Sequence, residues 1–151
     1  MTDQQQESIN WLNKLIEICK DGNKGYKNAS EHAEDNELKT IFYRLSQQRA
    51  LFEAELEGEV RNLGGHPEDT GSSAGGMHRA WMNIKDALSS KNPENIIAEC
   101  KNGDKAAVEV YEEALKAPIP DYIKDKVKDQ FTLIKGSLLQ LNEFQKSSER
   151  S

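Results

Sequence analysis

The side chains with the most chemical potential gather in a nine-residue stretch that the chain uses twice. Ile16-Glu17-Ile18-Cys19-Lys20-Asp21-Gly22-Asn23-Lys24 returns 81 residues later as Ile97-Ala98-Glu99-Cys100-Lys101-Asn102-Gly103-Asp104-Lys105, with five positions identical and two exchanging Asp for Asn. Oxygen donors of this kind suit a hard cation or a small polar ligand. Asp104 and Asn23 hold equivalent inward places, while Glu99 and Glu55 flank the apolar stripes, so these four are the candidate metal ligands. The metal would be iron or another divalent ion. The competing reading is a satisfied polar layer: Arg49 pairs with Asp104 or Glu99, and Gln48 and Gln130 bond across the core, because a buried guanidinium must be paired. The residues favour this second reading, which expects no cofactor and no catalytic residue and leans away from an enzyme.

Cys19 and Cys100 invite a thiol reading. They are single, lack a Cys-x-x-Cys spacing and have no histidine placed as base or co-ligand, so each is expected to act as a small core hydrophobe. Tyr26 and Tyr111 fall at stripe positions and are expected as core aromatics with anchored hydroxyls. Gly22 and Gly103 are expected to let helices approach closely, or alternatively to clear space for a ligand.

Long helices must position these groups. Leu12, Leu15 or Ile16, Cys19, Gly22, Tyr26, Ala29 and Ala33 keep a three-four spacing through Asp21-Gly22-Asn23, a segment with the composition of a turn. An inserted turn would reset that phase, so the pattern predicts one helix over about 5–34 despite glycines costing about 1 kcal/mol each. Asp35 or Asn36 caps a second helix that ends at Gly64-Gly65. After the loop from His66, a shorter helix marked by Met77, Trp81, Ile84 and Leu88 is expected as a crossover, packed by Trp81 on the bundle's outside. Asn92-Pro93 opens the next helix, which stops before Pro118. The last runs from about Asp121 and frays into the polar tail from Gln145 to Ser151. Its stripe reads Ile123, Val127, Phe131, Ile134, Leu138, Leu141 and Phe144. The second and last helices also align at an offset of 82, so hairpin 93–147 repeats hairpin 5–64 across a crossover at 65–92.

With 151 residues, the chain suits one domain with one core. Hydrophobic residues at 36% and charged ones at 30% suit amphipathic helices better than a parallel sheet. A net charge of -6 argues against nucleic acid and against anionic membrane surfaces, both of which need clustered cations. Residues 1–6 have no signal-peptide pattern, and no apolar run approaches a membrane span, so a cytoplasmic protein is expected. A homodimer or another protein partner stays open.

Cys19-Lys20-Asp21-Gly22, Gly25-Tyr26, Arg49, Phe52, His78-Arg79, Trp81, Glu99-Cys100, Gly103-Asp104 and Tyr111 together resemble an uncharacterised bacterial four-helix-bundle family of the ferritin-like superfamily, over nearly the whole chain. The resemblance implies an all-α, ferritin-like antiparallel four-helix bundle of two pseudo-repeated hairpins joined by a crossover with a shorter fifth helix. It implies a bacterial cytoplasmic setting and gives no activity. A ferritin-like di-iron centre takes about four carboxylates and usually two histidines in Glu-x-x-His pairs. This chain has no Glu-x-x-His, and His32, His66 and His78 lie away from the middle of the bundle, which disfavours such a centre. The functional expectation is a non-enzymatic binding or assembly module, stress-related as ferritin-like relatives often are. Its alternative is an iron-handling or oxidoreductase protein with a degenerate carboxylate site.

Overall fold

A computed structural model describes residues 2–67, 81 and 83–150, with side chains through 147. The described chain is all-α. Its helices are α1 (Asp3–His32), α2 (Asn36–Asn62), α3 (Ile84–Ser90), α4 (Pro93–Lys116) and α5 (Asp121–Arg150). Local chemistry sets their ends. Thr2 and Gln5 form a reciprocal capping box at α1, and Asp35 Oδ1 accepts from Leu38 N at 2.9 Å to start α2. Asn92 Oδ1 accepts from Glu94 N at 2.9 Å, with Pro93 in the first turn of α4. Gly64, at φ 85, turns the chain out of α2 in the left-handed region that glycine enters without penalty.

α1 passes unbroken through Asp21-Gly22-Asn23, as the continuous apolar phase requires. α5 stays helical through Arg150, where fraying was expected from Gln145 onward. Part of the reason is a tether: Lys101 Nζ donates to Gln145 Oε1 at 3.2 Å.

Residue pairings give the directions. Asn23 meets Ser46 while Gly65 lies against Ile9, so α1 and α2 run antiparallel. Asp104 meets Ser137 and Tyr111 meets Gln130, so α4 and α5 do as well. Cys19 bonds Tyr111 and Tyr26 bonds Asp104, which makes α4 antiparallel to α1. Lys126 pairs with Glu59 and Arg49 with Ser137, which closes α5 against α2 in the same sense. α2 and α4 therefore point the same way, and the connection between them must cover a helix length, as long crossovers do. The expected crossover start at Met77, with His78-Arg79, lies outside the described residues.

The interior splits into two apolar clusters. One holds Leu12, Leu15, Cys19, Phe52, Leu56, Tyr111, Ile123 and Val127; the other holds Tyr26, Phe42, Leu45, Trp81, Ile97, Cys100 and Leu141. Each draws on both hairpins.

Trp81 packs the connection against the bundle and goes deeper than surface packing requires. It is 7% exposed, and its ring stands edge-on to Tyr26 with centroids 5.3 Å apart. A Cβ on Gly25 of α1 or on Gly103 of α4 would come within 3.0 Å of the indole. The two glycines thus make a slot between α1 and α4 for one large ring, which buries more apolar area than any aliphatic side chain.

Candidate functional site

Between the two apolar clusters lies a polar group with one member from each long helix. Asp104 of α4 is 0% exposed and Arg49 of α2 is 2% exposed. Arg49 Nη1 donates to Asp104 Oδ1 at 2.6 Å and Nη2 donates to Oδ2 at 3.3 Å, a forked pairing that a planar guanidinium allows. Tyr26 of α1 donates its hydroxyl to Asp104 Oδ2 at 2.5 Å. Ser137 of α5 accepts from Arg49 Nη2 at 2.8 Å, and its one hydroxyl hydrogen has Asp104 Oδ2 (2.8 Å) and the Ile134 carbonyl (2.6 Å) in reach. Three donors therefore crowd Oδ2, while Oδ1 is held by Arg49 Nη1. The guanidinium also lies 5.3 Å from the Tyr26 ring centroid, within cation–π range.

The electrostatics follow from enclosure. Burial is the largest single influence and works against the Arg49 cation, but the Asp104 charge and hydrogen bond together with Tyr26 and Cys19 outweigh it and hold the guanidinium protonated more firmly than usual. Burial, then the Asp104 charge, push the Tyr26 hydroxyl well above its ordinary range.

A second layer lies on the other side of Arg49. Tyr111 donates to Gln130 Oε1 at 2.8 Å, and Cys19 Sγ lies 3.3 Å from the Tyr111 hydroxyl. The Tyr111 hydrogen is committed to Gln130, so the thiol is the donor of that contact. Gln130 Nε2 donates to the Phe52 carbonyl at 3.4 Å and to Glu55 Oε1 at 3.3 Å. Burial pushes the Cys19 thiol up to about 12, partly offset by Tyr111, and pushes Cys100 well above its ordinary range. Neither thiol is a thiolate near neutrality, and a thiol is a poor nucleophile.

The four candidate metal ligands stand in four different surroundings. Asp104 is in the central group. Asn23 is half-buried and accepts from Ser46 Oγ at 2.8 Å on the α1/α2 side. Glu55 is half-buried against Gln130 on the α2/α5 side. Glu99 lies beside Asn83, Asp86 and Asn95 near α3, where partial burial raises its carboxyl pKa. Among the described residues, no three His, Cys, Asp or Glu side chains group as a ligand set. Gln48 accepts from its neighbour Arg49 Nε at 3.2 Å and does not reach Gln130. His32 is exposed and bonded to the Asn28 carbonyl of its own helix, His66 is exposed, and His78 falls outside the described residues.

The glycines of the repeat have unlike neighbours, neither of them helix backbone. A Cβ on Gly22 would meet Arg49 Cγ at 3.2 Å, whereas a Cβ on Gly103 would run into Trp81. Sequence reasoning passed over Ser46 and Ser137. Ser137 was signalled by spacing: Ile134, Ser137 and Leu141 keep the three-four rhythm as well as Ile134, Leu138 and Leu141 do. The structure buries Ser137 at 3% and leaves Leu138 half-buried.

These observations define an all-α protein whose four long helices converge on a buried ion pair. A family model described as Domain of unknown function (DUF2383) matches residues 7–117, and the chain belongs to that family. The matched span runs from Glu7 in the first turns of α1 to the end of α4, with Cys19, Arg49, Trp81 and Asp104; α5, with Gln130 and Ser137, follows it. No curated protein matches the chain.

Proposed function

We propose that this chain is a ferritin-like four-helix bundle acting as a non-enzymatic binding or assembly module, with the central polar group as its structural lock. The supporting observation is the enclosure and pairing of Asp104: Arg49, Tyr26 and Ser137 hold the fully buried carboxylate from three other helices. A cation entering there would have to displace a paired guanidinium, which would leave that charge buried without a partner. The helix directions, with α2 and α4 pointing the same way and a long connection between them, support the ferritin-like arrangement. A bacterial cytoplasmic setting and a stress-related role go with that arrangement as parts of the proposal.

Protein purified without chelator or affinity metal is expected to carry no stoichiometric metal, and aerobic Fe(II) is expected to oxidise no faster with it than without it. Stoichiometric iron with accelerated oxidation would overturn the reading in favour of iron handling.

A further inference from the structure

The two hairpins meet along two seams, and only one is covered. α3 and the Trp81 indole lie on the α1/α4 seam, with Ile84, Ala87 and Leu88 buried. Among the described residues no fifth element lies on the α2/α5 seam. That seam concentrates exposed apolar surface: Leu51 (59%), Tyr122 (59%) and Leu133 (51%) are three of the five large apolar side chains that, among the described residues, stand more than half exposed. They wall a depression of about 380 Å³ that reaches down to Phe52 and the buried Gln130. A second depression of about 530 Å³ lies farther along the same two helices, against Ile41 and Phe144.

Charge distinguishes the candidate occupants. Asp35, Glu37 and Glu143 surround the second depression, and Glu55 and Asp129 border the first. Lys126, which also lines the first depression, pairs with Glu59 at 3.1 Å, and Arg44 bonds the neutral Gln140, so the five carboxylates at the two depressions outnumber these two cations. We propose that the α2/α5 seam is a docking site for a basic amphipathic helix of another protein, which rests on the binding-module reading above. An apolar floor with acidic ends accepts a helix that lays down aliphatic and aromatic anchors and flanks them with Lys or Arg. Leu51 and Ile41 are ten residues apart on α2, so the two depressions are about 15 Å apart, roughly three turns of a bound helix. A second copy fits poorly. Each chain carries a net charge of -6, and a two-fold axis through the seam sets acid against acid.

The test uses two fluorescein-labelled helical peptides of about 18 residues that share Leu and Trp anchors at i, i+4, i+7 and i+11, one with Lys and one with Glu on the remaining positions. Anisotropy titration of the full chain is expected to show the Lys peptide binding at least about tenfold more tightly, an advantage that falls as salt rises. Leu51→Asp and Leu133→Asp, both at exposed positions, are each expected to weaken it about tenfold although they add negative charge, because they remove apolar contact. Leu139→Asp, 65% exposed and lining neither depression, is expected to leave binding unchanged. No binding by either peptide, equal binding of both, or binding that survives both seam substitutions overturns the proposal. So does light scattering that shows a dimer dissociated by Leu133→Asp, which would make a second copy the occupant. None of these results touches the module reading itself, which the iron assay decides.

Discussion

The two copies of the repeated stretch keep the same small residue at the same place and use the room it leaves in opposite directions. In the first copy the space over Gly22 is taken from inside, by the stem of Arg49. In the second, the space over Gly103 is taken by Trp81 from the chain between the hairpins. The next residue diverges likewise: half-buried Asn23 shares a local bond with Ser46, while Asp104 is fully enclosed and gathers groups from three other helices. A duplicated backbone thus supplies equal openings, and what fills them decides which copy becomes the centre of the molecule. The cost falls unequally, because a buried ion pair is tolerable only while both partners are present.

Breaking the Asp104 side should have the largest effect. Arg49→Met is expected to destabilise by about 3–5 kcal/mol in urea titrations, since it leaves Asp104 enclosed and uncompensated. The double variant Arg49→Met with Asp104→Leu should regain much of that loss. A double variant no better than the single would show that the layer is held by packing and not by charge. Next, the same substitution made in both copies should give different answers. Gly103→Ala is expected to cost about 1–3 kcal/mol through overpacking against the indole. Gly22→Ala should stay within about 1 kcal/mol of the parent, because the flexible Arg49 stem can yield and alanine favours the helix. Equal effects would show that the two openings are alike after all.

Ionisation of the cysteines has no effect at neutral pH and acts only on the alkaline side. The Cys19 thiol ionises at 9.0 ordinarily and at about 12 in the fold. Below pH 9.0 both folded and unfolded chains keep the proton; between 9.0 and about 12 only the unfolded chain gives it up, so stability falls as pH rises through that window. Each such thiol contributes a slope of about 1.4 kcal/mol per pH unit there. Replacing Cys19 or Cys100 by Ala should each flatten the alkaline slope by that amount. An unchanged slope in either variant would mean that its thiol titrates normally.

Much of the fold was legible because it was written locally. Asn92-Pro93 and Asp35 announced helix starts through cap chemistry, and the phase running from Leu12 through Cys19 to Tyr26 overruled the turn-like Asp21-Gly22-Asn23. Gln48 and Arg49 stood out as a polar pair on the apolar stripe of the second helix, with Gln130 as the counterpart of Gln48 in the repeat. Legibility failed where adjacent residues competed for one inward place. Phe131 was taken for the stripe position although Gln130 is the buried one, at 2%, and Leu138 was taken over Ser137, at 3%. Apolar patterning favours the hydrophobe of each pair, while the helix rotation actually adopted follows the polar partners Tyr111, Arg49 and Asp104 on other helices. How deeply Trp81 enters the bundle was illegible for another reason. Its slot exists only once α1 and α4 lie side by side, so no local pattern could show whether the indole faces inward.

That slot makes Trp81 a built-in gauge. The chain has two tryptophans, and Trp11 is half-buried near Lys14 within the first apolar cluster. Trp81 is held between the backbones of helices from different hairpins, so its emission reads the spacing between the hairpins. Trp11 lies against the first apolar cluster, away from that slot. Replacing Trp11 by Phe would leave one optical signal tied to a single internal distance, and so a direct view of whether the halves loosen from each other before either unravels.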